Sequence, residues 1–321
     1  MQAESALLLV QEREVSQSRV NSTASLPEPF GVPDANLIIR SSDLTHFRVH
    51  KSVLVMASPF FEDLLSLPQP SDSESVDGLP VVQVSEDAEL LTSLISMLYP
   101  AQPVIPNSYE KVLYLLSACQ KYDMGQVQAF IRAEVSRGAF PAPIGTEVFR
   151  AYAVARSKRL IPETEYAARL TLDYPMTFEV LGEVLRLFED SALHDLACYR
   201  RRCRDELVTC LRSFLQVNPQ APSSIWVCCP SAIPKRSPGE SPQALPLPNW
   251  LCQLLSRSHN DLFTDSLTTS SNIRGEYLVA IQTHTDCHFC LRVHTTKGTT
   301  FCADLESKLA EARDKVQLTS L

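Results

Sequence analysis

Short apolar runs at the spacing of β-strands begin at residue 36. The segments 36–40 (NLIIR) and 46–49 (HFRV) are rich in branched and aromatic residues, which is typical of strands. The polar residues 41–45 between them predict a turn, so we expect the two segments to pair as a hairpin. Residues 79–85 (LPVVQVS) follow a polar loop and predict a third strand.

Apolar residues at helical spacing predict two helices after the hairpin and three more after the third strand. Ser58 followed by Pro59 is typical of a helix start, because serine caps the free N–H groups and proline needs no N–H in the first turn. Other starts are predicted at Ser85 and at the capping-box pairs Asn107 with Glu110 and Asp123 with Gln126. The order of strands and helices predicts an α+β domain.

The chain as a whole divides into five segments by composition. Residues 1–33 are polar and aperiodic and predict a disordered arm, whereas 34–138 carry the α+β pattern. Helical stripes continue through 139–217, and 218–248 are a Pro/Ser-rich linker. The tail, 249–321, combines a cysteine/histidine cluster with a final helix predicted over 302–316.

Charge and composition argue against several functions. The net charge of −8 does not favour nucleic acid as a partner, since DNA and RNA binding needs a concentrated basic surface. Glycine-rich phosphate-binding motifs are missing from the sequence, and no apolar stretch has the length of a membrane span, so we expect no membrane partner. The basic run 199–204 (YRRRCR) is either an anion-binding patch or the solvated face of a long helix, and the acidic background favours the second.

The chain contains ten cysteines, and its first residues are too acidic for a signal peptide. We therefore expect reduced thiols in an intracellular protein of the nucleus or cytoplasm. Clustered cysteines in such a compartment are either core residues or metal ligands.

Several short motifs resemble the signature of the BTB/POZ domain family. They begin with Asp34 and continue through Phe47-x-x-His50-Lys51-x-x-Leu54 and 57–61 (ASPFF). The segments 81–100 and 115–124 resemble later parts of the same fold. The resemblance covers 34–138 and implies a small three-stranded sheet with surrounding helices. It also implies a set of fold and dimer-interface residues: Asp34, His50, Lys51, Ser58, Phe60 and Phe61.

His50 has two interpretations. A histidine beside a lysine at a strand-to-helix joint is a candidate catalytic base, but neither a nucleophile nor a second acid lies near it in sequence. The family resemblance favours a folding role, in which the His-Lys pair caps the joint near a dimer groove and Asp34 is its ionic partner. We predict no catalytic residues, and no enzymatic activity.

The segment 149–172 (FRAYAVARSKRLIPETEYAARLTL) resembles the helical extension of fungal, basidiomycete-type BTB domain-containing proteins. A helical extension of this kind follows the BTB domain in many members of the family.

The tail contains one candidate metal site. A possible ligand set combines a Cys-x-x-Cys turn with two more ligands, and such a set can hold a tetrahedral Zn²⁺: His284, Cys287, Cys290 and Cys302. Buried thiols and a redox pair are the alternatives, since a second clean Cys-x-x-Cys pair is missing. No other cofactor is expected.

The residues and the resemblance together predict a non-enzymatic protein-interaction module. Its expected partners are a second copy of itself, in a BTB-mediated homodimer, and proteins that the sequence does not identify. The alternatives are a substrate adaptor for a cullin-type ubiquitin ligase and a transcription-regulatory BTB protein.

Overall fold

The computed structural model describes residues 34–67, 74–100, 102–217 and 299–318. The predicted arm, the linker 218–248 and residues 249–298 of the tail lie outside this described part. The chain divides into two compact units, residues 1–143 and 144–321. In the described part, none of the helices is both long enough and apolar enough to cross a membrane.

The first unit has a mixed sheet with strand order β2-β1-β4-β3. The predicted hairpin is present: β1 and β2 pair antiparallel, with Leu37 opposite Val49. The third predicted strand is β4, which lies parallel to β1. The strands are β1 (Leu37–Arg40), β2 (His46–Val49), β3 (Ser75–Val76) and β4 (Leu79–Gln83).

The expectation of three strands is wrong, because the sheet has a fourth strand, β3. It pairs with β4, and a turn at Asp77 and Gly78 connects the two. Both turn residues have positive φ, 52° and 77°, as a two-residue turn of type I′ requires. An Asp-Gly pair is among the best signals for this turn, and the sequence contained it. The strand was missed because β3 is only two residues long and lies in an otherwise polar loop.

The helices described in the first unit surround the sheet, and their apolar stripes form its core together with strand residues. Val112, Leu113 and Leu116 are fully buried, as their helical spacing predicted. The helices are α1 (Lys51–Ala57), α2 (Pro59–Ser66), α3 (Ala88–Ser96), α4 (Tyr109–Lys121) and α5 (Gly125–Ser136).

Helix starts were predicted with mixed success. Ser58 caps α2 by accepting the N–H of Phe61, with Pro59 in the first turn, as predicted. The predicted cap at Ser85 is wrong, since Asp87 caps α3. The other two predicted caps are also wrong: α4 is capped by Ser108 and not Asn107, and α5 follows Met124 and has no side-chain cap.

The second unit is helical throughout its described part, as predicted for 139–217. The longest helix described there, α9, is held at its start by α6. Asp195 accepts a hydrogen bond from Arg156 at 2.8 Å, and the Ala192 carbonyl accepts one from the Tyr152 hydroxyl at 3.1 Å. The last helix, α10, packs against α9. The helices are α6 (Glu147–Ser157), α7 (Ile161–Leu170), α8 (Phe178–Leu181), α9 (Asp190–Val217) and α10 (Thr299–Asp314), with 3₁₀ turns at Thr171–Asp173 and Gly182–Leu187.

Candidate interaction surface

The His-Lys joint between β2 and α1 is held by hydrogen bonds. The His50 backbone N–H donates to the Tyr99 hydroxyl at 3.0 Å, and the His50 ring nitrogen Nδ1 lies 3.1 Å from the same oxygen. The Lys51 backbone N–H donates to Asn36 Oδ1 at 2.7 Å, and its ammonium donates to the Leu65 carbonyl at 2.8 Å. These contacts tie the joint to Asn36 before β1, to Leu65 in α2 and to Tyr99 after α3, so both residues serve as structural links.

Asp34 lies exposed at the start of the described residues. The sequence suggested it as the ionic partner of the His-Lys pair, yet no ion pair joins it to His50 or Lys51 within the described part of the chain. Asn36, two residues later, contacts the joint instead.

Three residues of the second part of the signature, Ser58, Phe60 and Phe61, lie around Tyr122 at the end of α4. The Ser58 hydroxyl donates to the Tyr122 carbonyl at 2.5 Å while accepting from the Phe61 N–H at 3.1 Å. The Phe61 ring stacks on Tyr122 with centroids 5.1 Å apart, and Phe60 lies against both rings at 5.4 and 5.5 Å. Motifs about sixty residues apart in the sequence therefore form one cluster.

Glu86 completes this cluster, and the sequence did not single it out. Its carboxylate accepts from the Tyr122 hydroxyl and, at 2.9 Å, from Lys121. Burial by itself would raise the pKa of Glu86, but these hydrogen bonds and the Lys121 charge outweigh it and hold the pKa below its usual range. Burial and the Glu86 carboxylate both raise the pKa of Tyr122, so this phenol stays protonated as a donor.

The comparison with protein families agrees with this geometry. Residues 33–137 match the family model described as BTB/POZ domain. This segment is a BTB/POZ domain. A search of curated proteins found no match to the chain.

The BTB/POZ domain exposes apolar side chains along α1 and at the start of α2. The run 53–57 (VLVMA) is apolar throughout, but only Leu54 is buried. Met56 is 87% exposed and Phe60 is 40% exposed, whereas Phe61 is 3% exposed. We call Met56, Phe60 and the partly exposed Val53 and Ala57, which share one side of α1 with Met56, the α1–α2 face. Exposed apolar side chains concentrated in one short segment are typical of a surface that binds another protein.

The predicted metal site falls mostly outside the described residues. His284, Cys287 and Cys290 are not described, so the convergence of the four ligands stays a prediction. Cys302 is described and lies buried in α10. No group of three or more potential metal ligands occurs within residues 34–67, 74–100, 102–217 and 299–318.

The basic run 199–204 lies on α9, and one of its arginines points inward. Arg200 is buried and donates to the backbone carbonyls of Thr171 and Tyr174, the latter at 3.0 Å. Burial lowers the pKa of Arg200 to about 10. Arg201 is exposed and lies 3.9 Å from Asp205, one turn along the helix. The interpretation of this run as a solvated face is therefore wrong for Arg200. This side chain instead supports the 3₁₀ turn at Thr171–Asp173.

Proposed function

We propose that this chain is a non-enzymatic interaction protein whose BTB/POZ domain forms a homodimer through the α1–α2 face. BTB/POZ domains are protein-interaction domains, so the general role follows from the family match. The observation that supports the specific proposal is the run 53–57, which leaves four of its five apolar side chains partly or fully exposed. Full burial of a methionine side chain contributes roughly 1.5–3 kcal/mol, so Met56 offers a large gain on association.

A second copy is the occupant that fits this face best. In a twofold dimer each copy presents the same patch, so an apolar patch meets an apolar patch without any need for a complementary charge. Exposed charges of both signs lie around the patch, namely Lys51 at the start of α1 and Glu62 and Asp63 on α2. Such a polar rim around an apolar centre is the usual composition of a specific interface.

Light scattering on the full chain tests the dimer. The wild-type chain should have twice the monomer mass of 35.8 kDa at micromolar concentration. Met56→Glu should produce a folded monomer, because the side chain is exposed within one copy, and its thermal midpoint should fall, because association no longer stabilises the native state. Leu44→Glu is the matched control, since Leu44 is an exposed apolar residue in the β1–β2 turn. A monomeric wild type would refute the dimer, and a dimeric Met56→Glu variant would refute this interface.

A substrate adaptor for a cullin-type ubiquitin ligase is the second candidate. It is supported by another set of exposed apolar residues in the BTB/POZ domain, on α4, on α5 and in the loop before α4: Val104, Ile105, Tyr114 and Phe130. A partner could dock here while the α1–α2 face holds the dimer together.

Titration with a purified cullin amino-terminal domain tests the adaptor function directly. We expect binding at micromolar concentration or tighter, weakened by Phe130→Ala and unaffected by Leu44→Ala. Absence of binding would remove the adaptor function and leave the dimer proposal standing. The transcription-regulatory alternative has no specific support among the described contacts.

We also propose that the protein works in a reducing intracellular compartment, the nucleus or the cytoplasm. The support comes from the described cysteines, which form no disulfide bond: Cys119, Cys198, Cys203, Cys210 and Cys302. Imaging of the tagged full chain in cells would test the compartment.

A further inference from the structure

His194 and Cys198 form an exposed pair on α9. They are four residues apart, which places them one above the other on the same helix face. Cys198 Sγ lies 3.4 Å from His194 Nε2, and both side chains are exposed. Neither residue belongs to the BTB/POZ domain or to the cluster predicted in the tail.

The distance between these two atoms fits a shared metal ion. A tetrahedral Zn²⁺ binds sulfur at about 2.3 Å and histidine nitrogen at about 2.0–2.1 Å, which sets the two donors about 3.5 Å apart. The observed 3.4 Å is within about 0.1 Å of this value, so the pair can bind with little rearrangement. We propose that His194 and Cys198 form a two-ligand site for a thiophilic divalent cation such as Zn²⁺.

Metal binding replaces the contact that the pair already makes. With the imidazole proton on Nδ1, the Nε2 lone pair accepts the thiol S–H, and the same lone pair can coordinate the metal. The thiol proton leaves to solvent as the metal–sulfur bond forms, so one proton is released for each metal bound. Two tetrahedral positions remain, and water fills them.

The two donor atoms select for cations that bond to sulfur and imidazole nitrogen. Zn²⁺ and Cd²⁺ form bonds with strong covalent character to thiolate, whereas Mg²⁺ prefers oxygen ligands. The site is thus expected to distinguish between these classes.

The other described cysteines do not offer the same arrangement. Cys119 and Cys203 are buried, and burial raises the pKa of their thiols to about 12 and about 11. Cys302 is buried in α10, and the Cys210 thiol faces the Lys308 carbonyl at 3.5 Å. Cys198 alone among these five combines an exposed thiol with an imidazole within hydrogen-bonding distance.

Protection from alkylation tests the site at single-residue resolution. The reduced full chain is titrated with Zn²⁺, treated briefly with iodoacetamide and digested, and each cysteine peptide is quantified by mass spectrometry. At a Zn²⁺ concentration of about ten times Kd, alkylation of Cys198 should slow roughly tenfold, because about one site in eleven stays free. Mg²⁺ should give no protection.

Two variants and one internal reference make the result specific. His194→Ala keeps the thiol and removes the nitrogen ligand, so Cys198 protection should disappear in this variant. Cys287→Ser should leave Cys198 protection unchanged, which separates this site from the tail, and the Cys210 peptide should stay unprotected throughout. Unprotected Cys198 in the wild type, or equal protection in His194→Ala, would overturn the proposal. Circular dichroism checks that His194→Ala folds, as expected for an exposed position.

Discussion

Two adjacent phenylalanines in the first turn of α2 differ in burial. Phe61 stacks on Tyr122 and is buried, whereas Phe60 leans on the outside of the same rings and keeps part of its surface exposed. Sequence spacing placed both on one apolar stripe. The two rings therefore have different roles. Phe61 stabilises the fold, and the exposed part of Phe60 belongs to the α1–α2 face.

Alanine at these two positions should separate the two roles. Phe61→Ala should lower the free energy of unfolding by about 3–5 kcal/mol, the usual range for a buried phenylalanine. Phe60→Ala should cost about 1 kcal/mol, since much of the ring is already in water. Urea unfolding of the two variants in the monomeric Met56→Glu background measures both values without a contribution from dimer dissociation. Equal costs would show that the ring burial is assigned wrongly.

Glu86 should make the BTB/POZ domain sensitive to acid. Its pKa is lower in the folded protein than in the unfolded chain, so below about pH 4.3 the unfolded chain takes up the proton more readily. The stability that Glu86 contributes is therefore present at neutral pH and is lost as the pH falls through its folded pKa.

Glu86→Gln tests this contribution. The variant should be less stable than wild type at pH 7, and the difference should shrink as the pH falls below about 4.3. Thermal midpoints from pH 7 to pH 3 measure it. Glu89→Gln is the control, because Glu89 forms an exposed ion pair with Lys111, which contributes little. A difference that stays constant with pH would contradict the assigned hydrogen bonds.

At the scale of elements, the packing partner of α10 is the feature that is hardest to predict from the order of elements in the sequence. Leu305, Leu309 and Ala312 recur every three or four residues and are buried, and α10 packs on α9 although 81 residues separate them. The described contacts place this stripe within its own unit, where the Cys210 thiol meets the α10 backbone at Lys308.

Leu309→Ala should loosen both helices of this pair. We expect a loss of about 2–5 kcal/mol in the stability of the second unit, the range for a buried leucine. Hydrogen exchange of the backbone amides at 203–214 should speed up in parallel. Lys308→Ala is the control and should change stability by less than about 0.5 kcal/mol, since Lys308 is exposed. Unchanged exchange in α9 would show that α10 does not stabilise it.

At the scale of the whole molecule, the proposed tail site and the His194–Cys198 pair differ in ligand number. Four ligands hold a structural Zn²⁺ with an apparent free energy of about 10–16 kcal/mol, whereas two ligands give a much weaker site. Dialysis should therefore separate them. A metal retained after dialysis belongs to His284, Cys287, Cys290 and Cys302.

Elemental analysis of the dialysed full chain should find about one zinc per chain. Cys287→Ser should remove this zinc, and His194→Ala should leave it in place. The BTB/POZ domain should keep its thermal midpoint in Cys287→Ser, because its core is built from apolar residues. Dialysed protein free of zinc would leave buried thiols as the better interpretation of the tail.

The sequence determined the features that neighbouring residues control. The β1–β2 hairpin, the Ser58–Pro59 helix start and the apolar stripes of α3, α4 and α10 all depend on contacts within one turn or one strand pair. The family motifs were also sufficient to predict the BTB/POZ domain. A family motif of this kind is associated with a complete fold, so it predicts more of the structure than local helix and strand propensities do.

Tertiary contacts decided the rest. Ser85 has a good capping side chain, but the Glu86 carbonyl accepts from the Ser42 N–H at 2.8 Å and its carboxylate accepts from Tyr122, so α3 starts only after Asp87. In the same way, sequence could not show which arginine of 199–204 turns inward, because its partners are carbonyls almost thirty residues away. A local pattern determines where a helix can form and which of its side chains share a face. Contacts with distant parts of the chain decide which of those side chains become buried.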